Sequence, residues 1–442
     1  MSSPPANPKT GQWNSKICSP VILLRNITVG ESAKDILIDK GLIARIAPVG
    51  SSLGWELAGD VEIMDCSGKV AVPGFINMHT HAGMSLMRGV GEDMVFQDWI
   101  SKIWAIEDKF DADFVYWSTK VACLEMIRTG TTTFNDQYWF FPDAHRAAAE
   151  MGLRHALGYV VIDRGDPAEI EREKEQCLRW YDLAPAVRES GSIYQVAFHA
   201  IYSVSEPLIC WVSEFARKNG LNLHIHLSET LKEVEDCKAA HGGLTPVEYL
   251  DELGVLAPNL IAAHSLWLSE HDIELLAARG VHCVHNINSN AKLSSGYRFL
   301  YNEMRDAGIN LCTGTDGCAS SNNLDILEAM KTSALFQKAW RNDPKALPLD
   351  ELMAMATVNG AKALKINAGK LEEGALADIS IVDTDNTFFL SPAPFLANFI
   401  YSAHSDCIDS VICGGKFVMR HREIEGEKDI LREARKQITR IL

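Results

Sequence analysis

Residues 73–81 read PGFINMHTH, and the texture of the chain changes at its Pro73-Gly74 step. From Gly74 onward, strand-like and helix-like segments alternate. FINMHTH (75–81), TTTFND (131–136), HALGYVVI (155–162), YQVAFHA (194–200), LNLHIHLS (221–228), LIAAHS (260–265), VHCVHN (281–286) and INLCTGTD (309–316) read as strands. Between them lie helical patterns such as DFVYWSTKVACLEMIRTG, which ends on Gly130, and EPLICWVSEFARKNG, which ends on Gly220. Strands each followed by a helix predict an α/β fold, a (β/α)8 (TIM) barrel, over an open doubly wound sheet. Strand count by itself leaves closure open.

Outside this region the pattern is β-like on both sides. VILLRNITV, KDILIDKGLIARIAPV and VEIMDCSGKVAVPG precede it; ADISIVDTD and DSVICGGKFVMRHREI, with a Gly414-Gly415 hairpin, follow the helix ELMAMATVNGAKAL. The C-terminal piece could stand as a domain of its own. Each end is too short for a stable core, so the expectation is one composite β-sandwich domain built from both. The expected division is residues 1–72 and 375–442, with a terminal helix, around a barrel of residues 73–374.

Composition narrows the function classes. Hydrophobic residues make up 47% and charged residues 23%, a globular mixture able to bury a large core. Lys and Arg total 42 against 58 Asp and Glu, a net charge of −16 that argues against nucleic acid as a partner. No apolar run suits a membrane span, and MSSPPANPKTGQWNSK lacks a signal pattern, so a soluble, cytoplasmic protein is expected. The 11 cysteines, from Cys18 to Cys413, form no C-x-x-C pair, which speaks against a disulfide framework or a thiolate metal site. A metal would have to be held by His and carboxylate.

His79 and His81 sit two apart at the end of the first barrel strand, where the strand period puts both on one face. H-x-H alone is weak. His226 ends the fifth strand, His264 the sixth and Asp316 the eighth, so a barrel would bring all of them to one end. Three imidazoles and a carboxylate suit Zn2+, with Fe2+ the second choice. The expected ligands are His79, His81, His226 and Asp316.

PGFINMHTH, the H-x-x-E of His226 to Glu229, the AAH of strand six and the GTDG of strand eight together resemble the amidohydrolase superfamily. HTHAGMSLMRGVGEDMVFQDWI, HLSETLKEVEDC, HNINSNAKLSSG and GTDGCASSNNLDILEAMKTSALFQK narrow the resemblance to the methylthioadenosine/S-adenosylhomocysteine deaminases and the related triazine hydrolases. The resemblance spans the whole chain. It implies a zinc-dependent aminohydrolase that converts the adenine of a nucleoside, such as S-adenosylhomocysteine, methylthioadenosine or adenosine, to hypoxanthine with release of ammonia. A triazine or other N-heterocycle aminohydrolase or chlorohydrolase is the alternative, and a non-catalytic interaction protein on this fold a remote one.

On this reading Glu229 takes the water proton and delivers it to adenine N1, His264 hydrogen-bonds the attacking oxygen, and Asp316 passes a second proton toward the leaving group. Glu229 and Asp316 thereby also contact substrate. Strand four, YQVAFHAIYS, lacks the lysine of binuclear relatives, so one metal per chain is expected. The resemblance assigns Glu107 in WAIEDKF to the ribose hydroxyls and His199 in FHAIYSVS to the purine or ribose. Trp99 in FQDWI would wall the nucleoside. Considered alone, Glu107 reads as a solvated helix face, His199 as a satisfied interior histidine and Trp99 as a helix anchor. His224 reads as structural, one layer below His226; His285, Ser289 and Asn290 at most line the pocket, and His282 is ambiguous. Relatives that bind the homocysteine carboxylate offer arginines after strand three, where Tyr159 and Arg164 match no register. A missing clamp shifts preference toward an uncharged nucleoside. A homo-oligomer with no membrane contact is expected.

Overall fold

The computed structural model describes residues 21–51 and 61–441. The N-terminal stretch MSSPPANPKTGQWNSK and Cys18 lie outside them. Five strands open the described chain: β1 (Val21–Val29), β2 (Ser32–Asp39), β3 (Leu42–Pro48), β4 (Val61–Asp65) and β5 (Lys69–Pro73). β1 takes β2 antiparallel on one side and β4 and β5 parallel on the other. This is the small sheet that the β-like texture predicts.

Eight parallel strands follow, in spatial order as in sequence. They are β6 (Phe75–Thr80), β7 (Thr131–Asp136), β8 (Arg154–Val161), β9 (Ile193–Phe198), β10 (Leu223–Leu227), β11 (Leu260–His264), β12 (His282–His285) and β13 (Asn310–Thr313). Helices on the connections cover the outside, as right-handed crossovers require. Every residue of β6, β7, β10, β11 and β12 is buried. A buried apolar cluster takes Ile76, Ala156, Ile261, Val284 and Cys312 from five of the strands and Ala361 and Leu364 from the helix Val358–Leu364.

The first and last strands meet at the future site. The His79 carbonyl accepts the N–H groups of Thr315 at 3.2 Å and Asp316 at 2.9 Å. Beneath it, the Asn77 amide donates to Thr315 Oγ1 at 2.7 Å, and Asn77 Oδ1 accepts the Thr315 N–H at 3.1 Å. Gly314 permits this approach: a Cβ there would stand 2.4 Å from Asn286 Oδ1 and 2.9 Å from the His79 main-chain nitrogen. Closure of the barrel and placement of Asp316 beside His79 are one event.

The chain then returns to the small sheet through β14 (Ile379–Asp383), β15 (Ile408–Cys413) and β16 (Lys416–Met419). β14 pairs antiparallel with β5, Ile379 opposite Pro73 and Asp383 opposite Lys69, so one sheet contains both chain ends. Its core mixes Ile22, Leu24, Ile36 and Ile38 with Ile379, Ile381 and Ile412. Gly414 and Gly415 both have positive φ (54° and 74°), the geometry a two-residue hairpin turn demands between β15 and β16. A buried ion pair, Arg154 with Asp378, ties the sheet to the barrel. The C-terminal helix Glu427–Ile441 lies on Ala112–Arg128, with Arg128 paired to Glu427 and Arg440 to Asp111. Among the described residues, no helix is long and apolar enough to cross a membrane.

Candidate active site

Five side chains converge just beyond the C-terminal ends of the barrel strands. His79, His226, His264 and Asp316 offer ligand atoms within 4.8 Å of one another. His81 belongs to the same knot: its Nε2 lies 3.1 Å from Asp316 Oδ1 and 3.2 Å from His226 Nε2. His79 Nε2 stands 3.3 Å from the same Asp316 oxygen. Proximity therefore gathers one imidazole more than the expected ligand set, and His81 is outside the tightest group of four.

Hydrogen bonds on the far sides of the rings sort the five. A main-chain carbonyl only accepts, so a ring nitrogen facing one must carry the proton. His81 Nδ1–H donates to the Gln137 carbonyl at 2.7 Å, and His226 Nδ1–H to the His199 carbonyl at 3.0 Å. In the neutral rings both Nε2 atoms then present lone pairs toward each other across 3.2 Å. His79 Nδ1 meets His224 Nε2 at 3.0 Å, while His79 Nε2 is buried without a well-formed hydrogen bond. Lone pairs converging on a carboxylate oxygen suit a cation. His264 differs: its Nδ1 accepts from the Asn290 amide at 2.9 Å, which puts the ring proton on Nε2 and makes that nitrogen a donor. The chemistry of the donor set fits a divalent metal held by His79, His81, His226 and Asp316, with His264 aimed at whatever lies beside it.

The electrostatics of the cluster draw positive charge to the same place, a proton on His81 beside Asp316 or a cation in its stead. Burial by itself lowers the His81 pKa, but the hydrogen bond and charge of Asp316 and the Gln137 carbonyl outweigh it and raise it to about 9. Burial, with repulsion from the neighbouring imidazoles, pushes His199 down to about 3, and burial does the same to His264. Burial, then the charges of Asp316 and Glu233, hold Glu229 well above the carboxylate range. A carboxylate whose affinity for a proton is raised is equipped to take one and pass it on. Glu229 Oε2 lies 3.7 Å from His264 Nε2. Asp316 Oδ2 accepts from Ser289 at 2.6 Å and Ser320 at 2.8 Å, leaving Oδ1 for His79 and His81.

One cavity joins these groups to the expected substrate contacts: Trp99, Glu107 and His199 line it together with His81, His226, Glu229, His264 and Asp316. Trp99, Ile103 and Glu107 are four residues apart on the helix Phe96–Glu107 and share a face. Trp99 Nε1 donates to the Ala319 carbonyl at 3.3 Å. Glu107 is not a solvated surface carboxylate: burial raises its pKa to about 7 against the hydrogen bond from Tyr138. His199 Nδ1 meets Ser203 Oγ at 2.7 Å, and its ring stands edge-on to Trp104 and His226.

The lesser residues lie outside the cavity lining. Ser289 and Asn290 do not line the cavity; they stand behind it and hold Asp316 and His264. His285 stacks on Phe299 away from the site, and His282 meets Asn310 at 3.0 Å. Arg164 is stacked over Trp104, 3.5 Å from Asp108. The sequence reading missed Gln137, Tyr138, Trp104, Tyr202 and Ser320, all on the cavity wall. Gln137 and Tyr138 follow β7 directly, and the rule that barrel sites collect at strand ends reaches them as it reached His226.

The chain has clear relatives. The amidohydrolase family pattern matches residues 70–418. A 5′-deoxyadenosine deaminase of Methanoregula boonei is 44% identical over 418 residues, covering 93% of each chain. A 5-methylthioadenosine/S-adenosylhomocysteine deaminase of Thermococcus sibiricus is 39% identical, over 90% of this chain and 94% of its own. The crystal structure of an adenosine deaminase from Xanthomonas campestris with bound zinc matches with a TM-score of 0.85 at 30% identity, covering 96% of this chain and 98% of that one. An atrazine chlorohydrolase from Arthrobacter aurescens, complexed with zinc, matches at 0.86 over 94% of this chain and 100% of its own, but at 23% identity it speaks for the fold alone.

Proposed function

The chain belongs to the amidohydrolase family, and from that premise we propose that it is a metal-dependent hydrolytic deaminase of adenine nucleosides. The observation that carries the proposal is a single cavity lined both by the cation-seeking imidazoles His81 and His226 and by the Glu107 carboxylate. A small aminoheterocycle would need only the first; a nucleoside engages both, its ribose hydroxyls donating to Glu107. Relatives named for nucleoside deamination support this over the triazine reading.

His79, His81, His226 and Asp316 would hold the metal, with Zn2+ favoured by the zinc-bound relative. Such an ion supplies the acidity that makes water a nucleophile near pH 7. Glu229 takes one proton from the attacking water and gives it to adenine N1. His264 Nε2–H donates to the oxygen as it bonds to C6. Asp316 moves the remaining hydroxyl proton to the amino nitrogen, the C6–N bond breaks, ammonia leaves, and N1 keeps its proton in the product. His199 and Trp99 bound the base and ribose.

The remaining wall favours an uncharged 5′ group. Phe96, Ile100, Ile103, Trp104 and Val160 line it. Arg164 stacks over Trp104, 3.5 Å from Asp108, and is not among the lining residues. 5′-Deoxyadenosine and methylthioadenosine fit this wall; S-adenosylhomocysteine would bury an unpaired carboxylate. The test is ammonia release from 5′-deoxyadenosine, methylthioadenosine, adenosine, S-adenosylhomocysteine and aminotriazines. Turnover of the nucleosides with inert triazines is expected; the reverse order would overturn the proposal.

A further inference from the structure

Among the described residues, three helices begin with Thr or Ser at the cap and an acid three residues later, and one of them departs from the pattern. Before Pro246–Glu252, the Thr245 N–H donates to Glu248 Oε2 at 2.7 Å; before Glu270–Arg279, the Ser269 N–H donates to Asp272 Oδ2 at 2.7 Å. In both, the acid satisfies the cap residue of its own helix. The helix Leu231–Ala240, which follows β10, opens in the same way, with Thr230 Oγ1 accepting the Glu233 N–H at 3.0 Å. Its acid reaches further. Glu233 Oε1 accepts the N–H of Ser228 at 2.9 Å, and Oε2 accepts the N–H of Glu229 at 2.8 Å.

Those two N–H groups stand on either side of the Ser228 Cα, and the second belongs to Glu229 itself. Ser228 has a φ of 49°, a left-handed conformation that a serine adopts only when its surroundings enforce it. Its carbonyl accepts from Leu266 at 3.1 Å and Trp267 at 3.0 Å, so the strained residue is gripped from both sides. Glu233 is 5% exposed and is absent from the cavity wall, so it touches no substrate.

We propose that Glu233 is a positioning residue, which fixes the turn at Ser228 and thereby aims the Glu229 carboxyl over the barrel mouth. The inference rests on the reading of Glu229 as the proton carrier. Loss of the grip frees the turn, and a displaced proton carrier loses rate while the metal ligands and the ribose contact stay in place.

The test uses metal-loaded enzyme with 5′-deoxyadenosine and the variants Glu233→Gln, Glu233→Asp, Glu229→Gln and the double Glu229→Gln/Glu233→Gln. Glu233→Gln keeps the size but replaces one acceptor with an amide NH2 that faces an N–H. It should lower kcat about 10- to 100-fold, with metal content unchanged and KM nearly so. Added to Glu229→Gln it should cost nothing further, because it acts only through Glu229. If the Gln variant does not fold, Glu233→Asp, which is too short to reach both N–H groups, carries the same comparison. Unchanged kcat, or an equal loss in the Glu229→Gln background, overturns the positioning role alone. Full activity of Glu229→Gln overturns the proton-carrier reading and this inference with it.

Discussion

The Tyr138 hydroxyl donates to Glu107 Oε1 at 2.7 Å and so joins the end of the second barrel strand to the end of the helix Phe96–Glu107. The tyrosine ring lies flat over Gly83, where an added Cβ would stand 2.1 Å from it. Glu107 is thus held by a residue that cannot easily move. If its carboxylate accepts the ribose hydroxyls, Glu107→Ala should weaken kcat/KM for an adenine ribonucleoside by about 2–4 kcal/mol. The loss should vanish for the 2′,3′-dideoxy analogue, which makes a double-mutant cycle. Zero coupling would leave the heterocycle hydrolase as the better reading.

Metal content separates the four proposed ligands from the fourth imidazole, His264. We expect about one divalent ion per chain, since the donor set describes a single tetradentate site. His226→Ala should lose metal and activity together. His264→Ala should keep the metal and lose rate, because the Asn290 amide occupies its Nδ1 and leaves Nε2 a donor. Loss of the ion from His264→Ala with retention in His81→Ala, by elemental analysis, would exchange the two assignments.

Glu229→Gln removes the carboxyl proposed to move the proton and leaves the imidazole set intact. A fall in kcat of about 10²–10⁴ is expected, with metal retained and substrate still bound. Nearly normal turnover would remove Glu229 from the chemistry.

Asp325 offers a test of the fold well away from the imidazoles. It caps the helix Ile326–Arg341 by accepting from Leu327 and Glu328, and burial raises its pKa to about 6 in spite of its bonds with Ser405 and that helix end. Its contribution to stability is fully present below the unfolded carboxylate range near pH 4 and is lost as pH rises through 6. Asp325→Asn keeps a capping oxygen and does not titrate. Its stability relative to the native chain should therefore improve between about pH 4 and pH 6 and level off above, as read by urea unfolding. A constant difference across that range would contradict the raised pKa.

The barrel and the joined sheet were legible because their signals are local. Each strand carries its own apolar run, and Gly130 and Gly220 mark where helices stop. The imidazoles were legible because they end strands. What stayed hidden depends on partners distant in sequence. His224 reads as one more buried histidine until its ring is seen against His79. Ser289 and Asn290 sit in a short helix after β12, and only the closed barrel shows them behind Asp316 and His264. Glu233 has the spacing of an ordinary helix cap, and spacing cannot tell which N–H groups its carboxylate will take. The extra imidazole in the knot is a similar case, since the ring tautomers are set by the Gln137 and His199 carbonyls and the Asn290 amide, partners distant in sequence from the rings they face.

The stitch between the His79 carbonyl and the Thr315 and Asp316 amides has a consequence for synthesis on the ribosome. A nascent chain that has emerged only as far as Leu300 already carries His79, His81, His226 and His264, but neither the eighth strand nor Asp316. It cannot close the ring that brings the histidines to full complement. The small sheet waits as well, because β5 gains β14 only when the last part of the chain arrives. On the proposed ligand assignment, metal capture in its final geometry is thereby deferred until Asp316 has emerged, and a product truncated before it would lack one of the four ligands.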